Sequence, residues 1–171
     1  DHPGNELLSV ASALSYANSG KADEPYARQL SERARALVAA LVSSQAADGS
    51  WTSEVIGGYT TARVFWALVA ARNAGIVVHK DCIDKAAAHL LKQLEGFDAN
   101  DNDSKAIILH ALSTDKRADF AACNRLYRDR NTLGSATLAY LTRAFFNIDR
   151  KEIALELAGI LEGKAKAEPD Q

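Results

Sequence analysis

Apolar residues recur at intervals of three and four along almost the whole chain, and nowhere do they alternate with polar residues as they do in a β-strand. This period predicts an all-α chain whose helices are separated by glycine-containing or cap-forming turns. The eight predicted helices cover residues 5–18, 26–46, 59–73, 81–95, 103–113, 116–129, 134–147 and 149–163. The longest predicted loops are 48–58 and 96–102.

The predicted helices alternate between two kinds. Those in even positions carry one apolar stripe and many charges, as Ile83, Ala87 and Leu90 show for the fourth helix. Those in odd positions are apolar around more of their circumference, which predicts burial on two sides. An inner layer of apolar helices wrapped by an outer layer of amphipathic helices buries a continuous core. We therefore expect about eight helices that alternate between inner and outer positions.

A short turn sequence lies between the second and third predicted helices. It reads Gln45-Ala46-Ala47-Asp48-Gly49-Ser50-Trp51. Asp-Gly permits a tight left-handed turn after a helix, and the indole of Trp51 can cover the exposed helix end. The stretch resembles the repeat of the alpha/alpha toroids, in which a glutamine precedes Gly-x-Trp. That architecture is shared by squalene and terpene cyclases, protein prenyltransferase beta subunits and the thioester-containing domains of alpha-2-macroglobulin and complement proteins. The resemblance implies an alpha/alpha toroid, or an open arc of one.

The C-terminal half looks most like the thioester domain of bacterial alpha-2-macroglobulins. The segments that carry this resemblance are Lys105–Leu112, Asn124–Arg130, Leu133–Leu141 and Lys151–Leu157. That family has a Cys-x-Glu-Gln motif near the start of the domain, and its cysteine and glutamine side chains form an internal thioester. The corresponding place here holds Gly4, Glu6 and Leu7, of which only Glu6 matches. With this alignment no thioester can form; in the alternative alignment, the motif lies upstream of Asp1.

A resemblance to the cyclases gives an alternative reading as an enzyme. Class II cyclases protonate an alkene with an Asp-x-Asp-Asp motif, and Asp101-Asn102-Asp103-Ser104 is partly similar to it. In this alternative Asp103 is the acid, and the carboxylate of Asp101 raises its proton affinity. His110 is a candidate general base, and Trp66 with Phe65 forms the cavity wall. The favoured interpretation is that Asp101 and Asp103 cap a helix whose start attracts acids, and that His110 is a packed, partly buried histidine.

The resemblance to prenyltransferases raises the question of zinc. His79 and Cys82 are three residues apart at a predicted helix start, but two ligands do not hold a zinc ion. We therefore predict no metal and no cofactor. Cys82 and Cys123 are the only thiols, too few for a disulfide scaffold, and the sequence leaves open whether they pair.

Composition limits the partners and the setting. The formal net charge is −2 and the basic residues are scattered, which argues against nucleic acid, and no apolar run is long enough to span a bilayer. The chain begins at Asp1 and has no methionine. It is therefore expected to be a single domain, 1–171, excised from a larger protein, with a flexible tail at 164–171.

These observations predict a domain without catalytic machinery of its own. By resemblance, its role is structural or interactive within protease trapping, its partners are neighbouring domains of the same polypeptide and proteases or other proteins, and it is secreted, periplasmic or at the cell surface of a bacterium. A further alternative is a stand-alone interaction module in which the arc pairs with a missing half. Exposed apolar surface on the terminal helices would favour that case.

Overall fold

The computed structural model describes residues 3–52, 59–98 and 100–167, and these contain helices and turns but no strand. The helices are α1 (Pro3–Tyr16), α2 (Glu24–Ser43), α3 (Thr60–Asn73), α4 (Lys80–Gly96), α5 (Asn102–Ser113), α6 (Phe120–Arg128), α7 (Ser135–Asn147) and α8 (Lys151–Ala167). A short π-helical turn, Ala17–Lys21, follows α1. The predicted all-α fold class is confirmed.

Most helix bounds differ from the prediction by one to four residues, and the starts of α2 and α6 differ for local reasons. Helix α2 begins at Glu24 instead of 26 because Asp23 caps it by accepting a hydrogen bond from the Tyr26 amide at 3.0 Å. Helix α6 begins at Phe120 instead of 116 because Asp119 supplies its cap. Helix α8 continues to Ala167, so 164–167 are helical and not a tail. The rest of the predicted tail, 168–171, lies outside the described residues.

The helices form two compact units. The first contains the described residues up to Lys92, and the second contains those from Gln93 onward. In the first unit α1 packs against α2 and α3. In the second unit α7 packs against α5, α6 and α8, around a core that includes Leu138, Leu141 and Phe145.

The odd-numbered helices differ in how much of their surface is buried. Helix α3 is buried around most of its circumference, from Thr60 to Ala71, and α5 is buried in the same way from Ser104 to Ser113. Helices α1 and α7 bury a single stripe each. The predicted burial on two sides is therefore correct for α3 and α5 and wrong for α1 and α7.

The odd-numbered helices share one kind of ending. After each of them comes a residue with positive φ: Gly20 (77°), Gly75 (91°), Lys116 (58°) and Asp149 (64°). After α3, α5 and α7 the next amide also bonds back to the carbonyl five residues earlier, in the pairs Ile76 to Ala71, Arg117 to Leu112 and Arg150 to Phe145. This is the Schellman pattern of helix termination. It gives the chain a structural repeat that its sequence shows only weakly.

Candidate functional site

The Gln45 side chain connects the predicted turn to the start of α4. Its Nε2 atom donates hydrogen bonds to the Gly49 carbonyl at 3.1 Å and to the Cys82 carbonyl at 3.0 Å. The first bond closes the turn and the second reaches a helix that is distant in sequence. One amide group therefore fixes both the shape of the turn and its place on α4.

Gly49 allows the turn to touch the backbone of α4. Its φ of 88° lies in the left-handed region. A Cβ atom placed there would lie 2.3 Å from the Lys85 carbonyl oxygen, which is too close for any side chain. Both the conformation and the space around this position therefore require glycine.

Trp51 joins the end of α2 to the start of α3. Its side chain is buried, and its Nε1 donates a hydrogen bond of 2.8 Å to the carbonyl of Leu41 in the last turn of α2. The Leu41 carbonyl also accepts a hydrogen bond of 3.2 Å from the Ser44 amide that follows the helix, so the indole is its second donor at the helix end. The Trp51 amide also donates to the Thr61 hydroxyl at 3.0 Å, and that hydroxyl donates back to the Trp51 carbonyl at 3.2 Å.

Asp48 organises the outer side of the same turn. Its Oδ1 accepts hydrogen bonds from the Ser50 amide at 3.0 Å and from the Ser50 hydroxyl at 2.7 Å. These bonds, the hydroxyl's foremost, lower the pKa of Asp48. Its Oδ2 lies 3.4 Å from Nδ1 of His89 on α4. The turn thus contacts α4 through Asp48, Gly49 and Gln45.

The residues aligned with the thioester motif lie at the start of α1. Gly4 and Leu7 belong to the buried stripe of this helix. Glu6 accepts a hydrogen bond of 2.6 Å from Nε of Arg33 on α2 and so joins these two helices. Gly4 has no thiol and Leu7 has no carboxamide, so these side chains cannot form a thioester with one another.

The two cysteines are free and buried. Burial raises the pKa of the Cys82 thiol, and it raises that of Cys123 to about 12 with a smaller contribution from Asp119. A thiol that stays protonated and inaccessible is a weak nucleophile. The question of pairing that the sequence left open is answered: Cys82 and Cys123 do not form a disulfide.

The two aspartates of the cyclase-like segment make local and long-range structural contacts. Asp101 caps α5 by accepting hydrogen bonds from the Ser104 amide at 3.1 Å and from the Ser104 hydroxyl at 2.7 Å. Asp103 accepts a hydrogen bond from the hydroxyl of Thr137 on α7. Their contacts are thus those of a helix cap and of a link between α5 and α7.

His110 is only 1% exposed, and its ring lies beside that of Tyr140, with 5.5 Å between the centroids. Burial, assisted by the nearby charge of Arg143, lowers the pKa of His110 to about 4. The neighbouring Ser113 hydroxyl donates to the His110 backbone carbonyl at 2.6 Å and accepts from the side-chain Nδ2 of Asn147 at 3.0 Å. The Ser113 proton is therefore directed to the backbone and not to the imidazole.

Within residues 3–52, 59–98 and 100–167, no three His, Cys, Asp or Glu side chains are grouped so that they could hold a metal ion. No helix in these ranges combines the length and apolar composition that a membrane span requires.

Comparison with known proteins gives matches in structure but not in sequence. No protein-family model matches the chain, and no curated protein matches it in sequence. The chain is similar in structure to native alpha-2-macroglobulin from Escherichia coli, which was solved from domain MG7 to the C-terminus. The TM-score is 0.66, the sequence identity is 19% and the match covers 91% of this chain. The chain has the fold of a segment of bacterial alpha-2-macroglobulin.

Trypsin-activated alpha-2-macroglobulin from Escherichia coli matches as well. The TM-score is 0.63 at 18% identity, over 79% of this chain. The matched region spans 28% of the native alpha-2-macroglobulin chain and 10% of the activated one. The likeness therefore concerns one helical part of a much longer protein.

Proposed function

We propose that this chain is a non-catalytic helical domain of an alpha-2-macroglobulin-like protein, that it has a structural and protein-interaction role in protease trapping, and that it forms no thioester. The observation that carries the proposal is the likeness of its fold to alpha-2-macroglobulin in both the native and the trypsin-activated form. The role itself comes from this relationship and from the site contacts.

In this proposal the domain moves as a rigid body. Cleavage of a bait region elsewhere in the protein lets the molecule rearrange around the protease, while the helical domain keeps its own fold. The match to both forms supports this view. The bonds of Gln45 and Trp51, which tie the ends of α2, α3 and α4 together, are the kind of contacts that keep such a domain intact.

The proposal that this domain does not bind a protease covalently rests on the side chains that it contains. In the first of the two alignments, Gly4 and Leu7 take the places of the bond-forming cysteine and glutamine, and both thiols of the chain are buried with raised pKa values. The partners would then be held by surface contacts. We propose neighbouring domains of the same polypeptide as the first of these partners, proteases or other proteins as the second, and a bacterial secreted, periplasmic or cell-surface setting.

The contacts of the aspartates support this reading over the enzyme alternative. A cyclase acid must face its substrate, whereas the Asp101 carboxylate accepts hydrogen bonds from Ser104 and the Asp103 carboxylate accepts one from Thr137. We therefore propose no catalytic role for Asp101, Asp103 or His110.

Methylamine provides the test for the thioester. This amine opens a thioester by forming an amide and releasing a thiol, so it adds the mass of one methylamine to a protein that contains the bond. We expect the intact mass of the chain to stay unchanged and the denatured protein to titrate with two thiols before and after treatment, one each from Cys82 and Cys123. A mass increase together with a newly released thiol would contradict the proposal.

Trypsin provides the test for trapping, on the longer polypeptide that we propose carries this domain. A trapped protease still cleaves a small chromogenic amide but no longer reaches a large protein substrate. After trypsin is mixed with the polypeptide, we expect activity on the small amide to remain and activity on the large protein to be lost. We expect no complex when the trypsin has first been inactivated at its serine. If trypsin keeps both activities or loses both, the trapping role is wrong.

A further inference from the structure

Helices α7 and α8 have a second apolar face besides the one that packs into the core of their unit. Leu141, Phe145 and Leu157 are buried in that core. On the other side the two helices form a groove of about 470 Å³, whose apolar lining comes from Thr142, Phe146, Ala154, Leu155 and Ala158. We call this the α7–α8 groove.

Two large side chains of the groove are exposed to solvent. Phe146 is 58% exposed and Leu155 is 73% exposed. Single exposed apolar residues are normal on a protein surface, but adjacent ones that line one concave face indicate a contact surface. The face also lies on α7, which like α1 buries only one stripe, whereas α3 is buried around most of its circumference.

The shape of the groove suits a helix. Ala158 on α8 is small and exposed, and a small side chain at that place lets a second backbone approach closely. Phe146 and Leu155 supply the large apolar contacts beside it. An amphipathic helix with apolar residues at intervals of three and four fits such a surface.

The charges of the groove indicate the sign of the charge that a partner would carry. Both of its charged lining residues, Arg143 and Lys151, are cationic and exposed, and neither forms an ion pair with another described residue. Some other cations of the same unit are paired, since Arg130 lies 2.8 Å from Glu156 and Lys116 lies 3.1 Å from Asp149. Carboxylates on an incoming helix would supply the missing counter-charges.

We propose that the α7–α8 groove binds an amphipathic helix of a partner protein, with the helix's apolar stripe on Phe146 and Leu155 and its flanking carboxylates beside Arg143 and Lys151. This goes beyond the proposed function, because it assigns a position and a chemistry to one contact and does not depend on trapping.

Two labelled synthetic helical peptides test the groove. They share one leucine stripe, flanked by glutamates in the first and by lysines in the second, and their binding to the chain is followed by fluorescence anisotropy. We expect the glutamate peptide to bind at least about ten-fold more tightly at low salt, with the preference shrinking as salt screens the charges. The double variant Arg143→Glu with Lys151→Glu should reverse the preference.

Surface variants locate the binding. Phe146→Ser and Leu155→Ser should each weaken the binding of the glutamate peptide about ten-fold, since each substitution removes an apolar contact. Val77→Ser is the matched control, because Val77 is 86% exposed and lies in the first unit, and it should leave binding unchanged. Thermal melts that stay near wild type show that the variants fold.

Three results would overturn the proposal. The first is equal affinity for the two peptides, and the second is binding that Phe146→Ser and Leu155→Ser do not affect. The third is a dimer of the chain in sedimentation that these two substitutions abolish, which would make the groove a contact between copies.

Discussion

Lys116 and Asp149 both adopt the left-handed backbone conformation, and their side chains form a salt bridge of 3.1 Å. Each follows the end of an inner helix, α5 and α7 respectively, in the place that Gly75 occupies after α3. Non-glycine residues seldom adopt this conformation because Cβ crowds the backbone. The second unit therefore ends its inner helices with two strained residues that are joined to each other.

Glycine at both positions should stabilise the protein. The double variant Lys116→Gly with Asp149→Gly relieves two strained residues. It loses the exposed hydrogen bond from Lys116 Nζ to the Asn147 carbonyl and one ion pair, whose side chains are 63% and 77% exposed and which is therefore worth little. We expect the free energy of unfolding in urea to rise by about 1 kcal/mol. The matched variant Asp149→Ala keeps the strain and loses the pair, so it should be less stable than Asp149→Gly; the opposite order would contradict this account.

Gly49→Ala should be far more harmful than Gly75→Ala, although both glycines have positive φ. Gly75 has open space around it, so alanine there costs only the backbone conformation, about 1 kcal/mol. Alanine at Gly49 also collides with the Lys85 carbonyl, which adds a steric cost and brings the expected loss above about 3 kcal/mol. Chemical denaturation of the two variants measures the difference, and equal losses would show that the contact with α4 is absent.

Two substitutions of Trp51 separate the contribution of its packing to stability from that of its hydrogen bond. Trp51→Ala should reduce the free energy of unfolding by about 3–5 kcal/mol because the side chain is buried. Trp51→Phe keeps an aromatic ring and removes the indole donor of the Leu41 carbonyl, which retains its bond from the Ser44 amide, so a smaller loss of about 1 kcal/mol is expected. A loss near zero for the alanine variant would argue against the structural role of the turn.

His110 should make the protein sensitive to moderate acid. Its pKa falls from 6.5 to about 4 on folding, so between these values the unfolded chain binds a proton that the folded chain does not. Stability should therefore be unaffected by this group above 6.5, decrease by about 3 kcal/mol in total as the pH falls toward 4, and decrease no further below that. The variant His110→Gln should lack this part of the pH dependence. Urea titrations of both proteins across this range check it, and parallel curves would show that the histidine titrates normally.

Local signals predicted much of what the structure contains. The three-and-four spacing predicted every α-helix in the described ranges, and Asp48-Gly49 predicted a left-handed turn. Of the two aspartates predicted to cap α5, Asp101 supplies the cap and Asp103 instead accepts a bond from Thr137. The left-handed conformation of Lys116 has no such local signal, since lysine rarely takes it.

Contacts between distant segments could not be predicted in this way. The bond from Gln45 to the Cys82 carbonyl depends on where α4 lies, and the bond from Thr137 to Asp103 depends on how α7 packs on α5. The single buried stripe of α1 and α7 was missed for the same reason. The apolar composition of α1 and α7 is similar to that of α3 and α5, and only the neighbouring elements in the folded chain decide which side of each helix is covered.

The bond between Gln45 and the Cys82 carbonyl has a consequence for local opening. The last turn of α2 cannot fray without losing a partner on α4, and the start of α4 cannot fray without releasing the turn. The backbone amides around Ser44 and those around Ala86 should therefore exchange with solvent deuterium through one shared opening event and at similar protection, although they are far apart in sequence. Two segments that look like independent helix ends would then behave as one cooperative element.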